Sequence, residues 1–421
     1  MVVTSNSNSK RFIPFSLDAI NFLLADVRGA LGPFLNVFLV TQQHWSQTQV
    51  GLVTTLGGLL GLVAQTPIGA AIDETRAKRG VIVLALSVLG VGATMIFAMP
   101  TFWPVMIATS LMAVVGDVFG PAVAALTLGL YTRKQLARRL GRNAAFDHAG
   151  NVAIAVIAGA VGYAFSQRAV FLLVPVFAVL AGLAVLSIPS QAIDLDRARD
   201  LDQESDAAGH PAAAAGYRVL FASRPLVIFG LCVMLFHLAN AALLPLVGQK
   251  LAAAFPEEAT AMMSACIVAA QLVMLPISLL VGRTADTWGR KPLFLAGFAI
   301  LPVRAVLYTF SDNSVWLIGV QLLDGVGAGI FGALTPLVIA DLMRGTGRYN
   351  LAFGAIATMQ GIGASLSGLA AGVIVDHFGY SATFLTLGAA AGVALLVFAL
   401  GMPETADPAQ TLVGQRDGVS H

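Results

Sequence analysis

The sequence predicts an all-α membrane protein: twelve transmembrane helices in two six-helix bundles related by a pseudo-twofold axis, with both termini cytoplasmic. Three observations predict it. Of the 421 residues, 57% are hydrophobic and 11% are charged, against about 25% charged in an ordinary soluble domain. Mean hydropathy is +0.83. Apolar stretches of spanning length recur along the whole chain, and basic residues crowd into alternate gaps between them. So few charges cannot cover a water-facing surface, which excludes a soluble enzyme, a nucleic-acid binder and a disordered chain. The formal net charge of +2 implies no bulk attraction to nucleic acid.

A helix crossing a hydrocarbon core of about 30 Å needs roughly 20 apolar residues. Segments 15–40, 47–71, 80–99, 102–128, 144–166, 169–188, 225–248, 259–282, 292–310, 314–339, 352–375 and 381–401 qualify. The gaps hold turn chemistry, as in Met99-Pro100-Thr101 and Asp312-Asn313-Ser314. Residues 1–14 read as a cytoplasmic tail, polar from Ser5 to Lys10 and without a cleavable apolar signal. Residues 15–188 form the first bundle, 225–401 the second, and 402–421 a cytoplasmic tail. Between the bundles, 189–224 is a cytoplasmic linker rich in acids such as Asp194, Asp196 and Glu204. With the N-terminus inside, 20 of the 24 Lys and Arg residues fall on the cytoplasmic side. Arg168 and Lys250 lie opposite, and Arg28 and Arg304 lie within spans. That split satisfies the positive-inside rule. Cys232 and Cys266 sit in apolar runs and read as two free thiols.

The halves echo each other. Asp117 and Asp324, Asn143 and Asn350, and Phe146 and Phe353 are each 207 residues apart. Gly69-x3-Asp73 returns 213 residues later as Gly282-x3-Asp286. Parallel six-span repeats with a solute site near the midplane are a transporter architecture.

A charge at the bilayer centre costs roughly 2.5–3.5 kcal/mol on the lenient insertion scale, so intramembrane ionisable groups are read first as functional. Asp18, Asn21, Ala25, Arg28, Gly29, Gly32 and Asn36 share one polar, small-residue stripe of span 1, the expected wall of a cavity. Asp26 lies off that stripe and must find its partner on another helix. Arg28 with Asp117 of span 4 is the leading intramembrane pair, either a solute or proton site or a structural pair. Asp324, a turn from Gln321, has no basic residue clearly level with it, because Arg304 lies nearer the outer end of span 9. An unpaired carboxylate in low dielectric takes up a proton more readily, which makes Asp324 a candidate coupling group. His237 and Asn240 share a face of span 7, and Gln360 lies in span 11. Asp147 and His148 open span 5 and suit a gate or cap. Glycines inside spans, including Gly57, Gly61, Gly325, Gly329 and Gly363, suit close and sliding helix contacts.

The chain resembles the major facilitator superfamily over essentially its whole length. The specific signature is the short loop after spans 2 and 8: Gly-x3-Asp, a variable stretch, then Gly-Arg-Lys. The second copy supplies Gly282, Asp286, Gly289, Arg290 and Lys291. The first keeps Gly69, Asp73 and a basic run through Arg76, Lys78 and Arg79, but lacks the inner glycine and is one residue longer. The resemblance implies that these loops latch the two halves when the cytoplasmic side is closed. Pro403-Glu404-Thr405 echoes a sugar-porter ending without its lysine. Span 5 lacks the Gly-Pro of many drug–proton antiporters.

The resemblance implies a secondary active transporter in a bacterial inner membrane, working as a monomer on a small organic solute. The proton motive force is its expected energy source, with no cofactor and no metal; efflux is favoured over uptake. No Gly-x4-Gly-Lys-Ser/Thr loop is present for ATP. A membrane aspartyl protease is disfavoured because Asp26 follows Ala25 and Asp117 follows Val115-Gly116. No enzyme is expected, and no signalling domain supports a pure sensor.

Overall fold

The structure, a computed structural model, describes residues 7–25, 31–75, 77–131, 133–194, 223–344 and 349–406. Asp26, Arg28, Arg76 and most of the linker lie outside these residues. The described chain forms helices α1 (Ser7–Leu24), α2 (Gly32–Thr41), α3 (Gln47–Glu74), α4 (Lys78–Ala98), α5 (Phe102–Leu130), α6 (Arg133–Ala164) and α7 (Leu173–Leu186). These are followed by α8 (Arg224–Asn240), α9 (Leu243–Ala254), α10 (Ala259–Trp288), α11 (Arg290–Leu307), α12 (Ser314–Leu342) and α13 (Tyr349–Gly401).

Among the described residues, nine helical segments are long and apolar enough to cross a membrane. The difference from the expected twelve has local causes. Span 1 is represented by two shorter helices, α1 and α2. Helix α11 carries Arg290, Lys291 and Arg304 within its 18 residues. Expected spans 11 and 12 run together as α13, which breaks at Gly379, where φ is +80° and a side chain would be strained.

Two expectations about helix ends change. Helix α6 starts at Arg133 rather than near 144, because Arg, Lys, Gln, Leu and Ala are good helix formers whatever their hydropathy. Expected span 7 is not one helix: α8 stops at Asn240, a turn at Ala241-Ala242 follows, and α9 continues to Ala254. Helix α3 starts on a capping box, with Ser46 Oγ accepting from Gln49 N at 3.1 Å and Ser46 N donating to Gln49 Oε1 at 3.0 Å.

The described residues divide into two compact units, those within 1–39 and 56–209, and those within 40–55 and 210–421. In the first unit, α1 packs on α6 and α7, and α4 packs on α5 and α7. Glycines set the approach. Gly150 of α6 meets the Phe22 carbonyl of α1, and Gly61 of α3 lies against Ala113 of α5. In the second unit, α13 packs along α8 and α11, and α12 along α10 and α11. Gly325 and Gly329, one turn apart on α12, face the Ala270 and Met274 carbonyls of α10, and Gly363 of α13 faces Met234 of α8. These contacts are so close that a Cβ at Gly325 or Gly363 would collide with backbone.

The second unit also holds the start of α3. Asp376 accepts from Gln47 N at 3.0 Å, Thr48 N at 2.8 Å and Thr48 Oγ1 at 2.6 Å. A carboxylate there satisfies orphan donors and the positive end of the helix dipole.

Candidate functional site

An aromatic core fixes the helix faces that carry the polar groups of the second unit. Phe236 of α8 stacks on Phe331 of α12 with ring centroids 3.9 Å apart, and Phe298 of α11 meets both edge-on. Asn240 lies one turn beyond Phe236. Asp324, Gly327 and Phe331 share a face of α12, following the helical period.

The resulting network is buried and polar. Arg304 Nη1 donates to Asp324 Oδ1, forming an ion pair, and Arg304 Nη2 donates to Asn240 Oδ1 at 2.6 Å. Gln321 Nε2 donates to Asp324 Oδ2 at 3.2 Å, and the Tyr308 hydroxyl donates to Gln321 Oε1. Arg304, Tyr308 and Gln321 are buried, while Asp324 is partly open. Arg304 Nε is buried without an acceptor. A cavity of about 10 Å³ adjoins the pair, lined by Phe236, Asn240, Arg304, Asp324 and apolar neighbours. That is the lower limit for one water molecule, so the network closes on its own side chains.

Asp324 is therefore not unpaired, contrary to the sequence expectation. The levels of Arg304 and Asp324 along straight helix axes differ, but side chains lean toward their own helix N-terminus. In the adjacent and oppositely running α11 and α12, that lean carries the two side chains toward each other.

The other expected site residues are placed differently. His237 is half-buried. Its Nδ1 lies 2.9 Å from the Val233 carbonyl, and its ring packs edge-on against Phe236 and Phe331. It is thus held by the aromatic core and outside the Arg304 network. Gln360 lies on an exposed face of α13. Asp117 is half-buried on α5 and faces Gly61, and among the described residues no hydrogen bond or ion pair reaches it. Its expected partner Arg28, with Asp26, lies outside the described residues.

Asp18, expected on the cavity wall of span 1, is engaged in ion pairs. It is buried beneath two arginines of α6: Arg139 Nη2 reaches Oδ1 at 2.7 Å and Arg142 Nη2 reaches Oδ2 at 2.6 Å. Arg139 Nε continues to Asn143 Oδ1 at 2.8 Å, and Asn143 Nδ2 to Thr127 Oγ1 at 3.0 Å. The charged start of α6 supplies these partners; once it is set aside as loop, Asp18 has no visible counter-ion.

The second loop copy is a closed cluster. Arg290 Nη1 donates to Asp286 Oδ1 at 2.6 Å and to the Ala285 carbonyl at 2.9 Å, while Nε donates to Asp341 Oδ2 at 2.9 Å. Arg290 lies outside the expected span. Burial alone would lower its pKa, but Asp286 and Asp341 outweigh burial and hold it above the ordinary arginine value. Glu404 caps α11, accepting from Arg290 N at 2.9 Å and Lys291 N at 3.1 Å. Gly289 has φ +86°, and a Cβ there would meet Glu404 Oε2 at 2.6 Å. Gly282 faces open space, so the steric need for glycine falls on Gly289. Asp341 and Glu404 were missed as partners; the Pro403-Glu404-Thr405 echo was the available signal for the latter. In the first copy, the side-chain positions of Gly69 and Asp73 and all of Arg76 lie outside the description.

The comparisons agree with this architecture. The family model described as Major Facilitator Superfamily matches residues 17–278 and 229–420. An uncharacterized MFS-type transporter of Mycobacterium tuberculosis (strain ATCC 25618 / H37Rv) is 51% identical over 395 residues, covering 93% of each chain. A Deinococcus radiodurans protein named for sugar efflux is 25% identical over 376 residues, covering 86% of this chain and 91% of its own. The crystal structure of a mutant of the nucleoside transporter NupG superposes with a TM-score of 0.78 at 14% identity, covering 93% of this chain and 100% of that one. That last likeness shows a shared fold. The chain is a multi-pass membrane transporter rather than an enzyme, and it belongs to the major facilitator superfamily.

Proposed function

We propose that this transporter exports a small organic solute by alternating access, driven by protons, through twelve spans with both termini in the cytoplasm of a bacterial cell. The observation that carries this reading is the Arg304–Asp324–Asn240 network, buried within otherwise apolar helices. Ionisable groups at that depth are costly and serve solute or ion pathways. Arg304, Asn240, Gln321 and Asp324 are assigned to the polar end of the solute. Asp117 is assigned to proton exchange, because Asp324 is engaged by Arg304 and Asp117 has no described partner. The Arg290 cluster, with the loop of Gly69, Asp73 and Arg76, is assigned to the cytoplasmic gate. Export is supported by the efflux names of relatives, among them a Lactococcus lactis multi-drug resistance efflux pump homolog, 30% identical over 129 residues.

The test begins with a thermal-shift screen of the purified protein against metabolites and antibiotics, since a specific ligand raises apparent stability. The solute found is then offered to proteoliposomes with an imposed pH gradient. Accumulation against the solute gradient, collapsing when a protonophore is added, is expected. Equal flux with and without the gradient would refute proton coupling, and no flux of any bound solute would refute the transport assignment of the network.

A further inference from the structure

We propose that the face formed by α4 and α7 holds an anionic phospholipid, with one acyl chain in a groove between the helices and its phosphate on Arg79. The groove has a volume of about 740 Å³ and runs from Val83 of α4 to Met99 just past its end, against Pro175 to Leu186 on α7. That stretch of α4 is about 24 Å long at 1.5 Å per residue, more than one leaflet's share of a hydrocarbon core of about 30 Å. Gly90 of α4 and Pro175 of α7 lie side by side in the groove. Its two hydroxyls are turned back on their own helix, Ser87 Oγ to Val83 O at 2.9 Å and Thr94 Oγ1 to Gly90 O at 2.7 Å. The groove therefore suits a chain of methylenes and offers no free donor.

One end carries an unmatched cation. Arg79 lies one turn before Val83, and its Nη2 donates to the carbonyl of Leu186, a groove residue, at 3.1 Å. Its Nε is buried without an acceptor, and among the described residues no carboxylate pairs with it. A guanidinium has five N–H donors and matches a phosphate bidentately. At the other end Arg168 is already engaged, donating to the Phe97 and Ala98 carbonyls. The unsatisfied donor of Arg79 thus selects that end for the headgroup. On the orientation read from the basic residues, that end faces the cytoplasmic leaflet, whose lipids include anionic ones.

The test is native mass spectrometry of the full-length protein in detergent, titrated with phosphatidylglycerol or with phosphatidylcholine of the same acyl chains. Phosphatidylglycerol is expected to bind about tenfold more tightly, a 1.4 kcal/mol difference. Arg79→Gln should bring the two lipids to near equality, and Arg79→Lys should keep most of the preference. Ser87→Phe, which fills the groove from an exposed position, should weaken both lipids and needs no change at Arg79. An undiminished preference in Arg79→Gln, or undiminished binding in Ser87→Phe, overturns the proposal. So does a Ser87→Phe variant that changes oligomeric mass but not lipid binding, which would make the face a contact between copies of the chain.

Discussion

Asp117 and Asp324 stand 207 residues apart at matching places in the two halves of the sequence, yet their surroundings differ. Asp324 is tied into a network with Arg304, Asn240 and Gln321. Asp117 faces Gly61 and, among the described residues, makes no hydrogen bond or ion pair. Two carboxylates at matching places in the sequence thus have two environments. A carboxylate bonded to a guanidinium is stabilised in its charged form and fixed in place; one without such a partner is free to exchange a proton. On that contrast rests our proposal that Asp324 is a fixed polar contact and Asp117 the exchanging acid.

Substitutions sharpen this contrast. Arg304→Ala should have the largest effect on stability, about 3–5 kcal/mol, because it leaves the largely buried Asp324 without its cation. Thermal unfolding in detergent measures it. Arg304→Met with Asp324→Leu together should recover much of the loss, and additive damage in that cycle would mean that the two residues do not act as a pair. Gly325→Ala should cost about 1–3 kcal/mol, since its Cβ meets the Ala270 backbone and pushes the helix bearing Asp324 off α10. Tyr308→Phe removes one donor to buried Gln321 and should cost about 1 kcal/mol. Gly61→Ala should be smallest. Its gain of about 0.5–1 kcal/mol in helix propensity is offset by crowding of the Ala113 carbonyl at 3.2 Å and Asp117 Oδ2 at 3.3 Å. A loss above about 2 kcal/mol there would show that Asp117 is rigidly packed, against its assignment as the exchanging acid.

Much of the fold was legible because lipid imposes one demand on every span, a long apolar run. The second loop copy was legible from its motif, and the close-packing glycines Gly325, Gly329 and Gly363 as small residues within apolar runs. The Arg304–Asp324 pair was not. Residue numbers give a level along an axis, but they do not give the lean of a side chain or the helix beside it. The partners of Asp18 were not legible because hydropathy placed Arg139 and Arg142 in a loop, whereas helix propensity carries α6 through them. Asp376 and Glu404 act on helix N-termini 329 and 114 residues away in sequence. Only the folded chain brings such partners together.

The central claim is that Asp117, and not Asp324, exchanges the proton. Infrared difference spectroscopy of the full-length protein in lipid, across the neutral pH range, tests it most directly. The account predicts a carboxylic-acid carbonyl band that appears and disappears with pH in the wild type and in Asp324→Asn, and that is absent from Asp117→Asn. A band that persists in Asp117→Asn and vanishes in Asp324→Asn would contradict it.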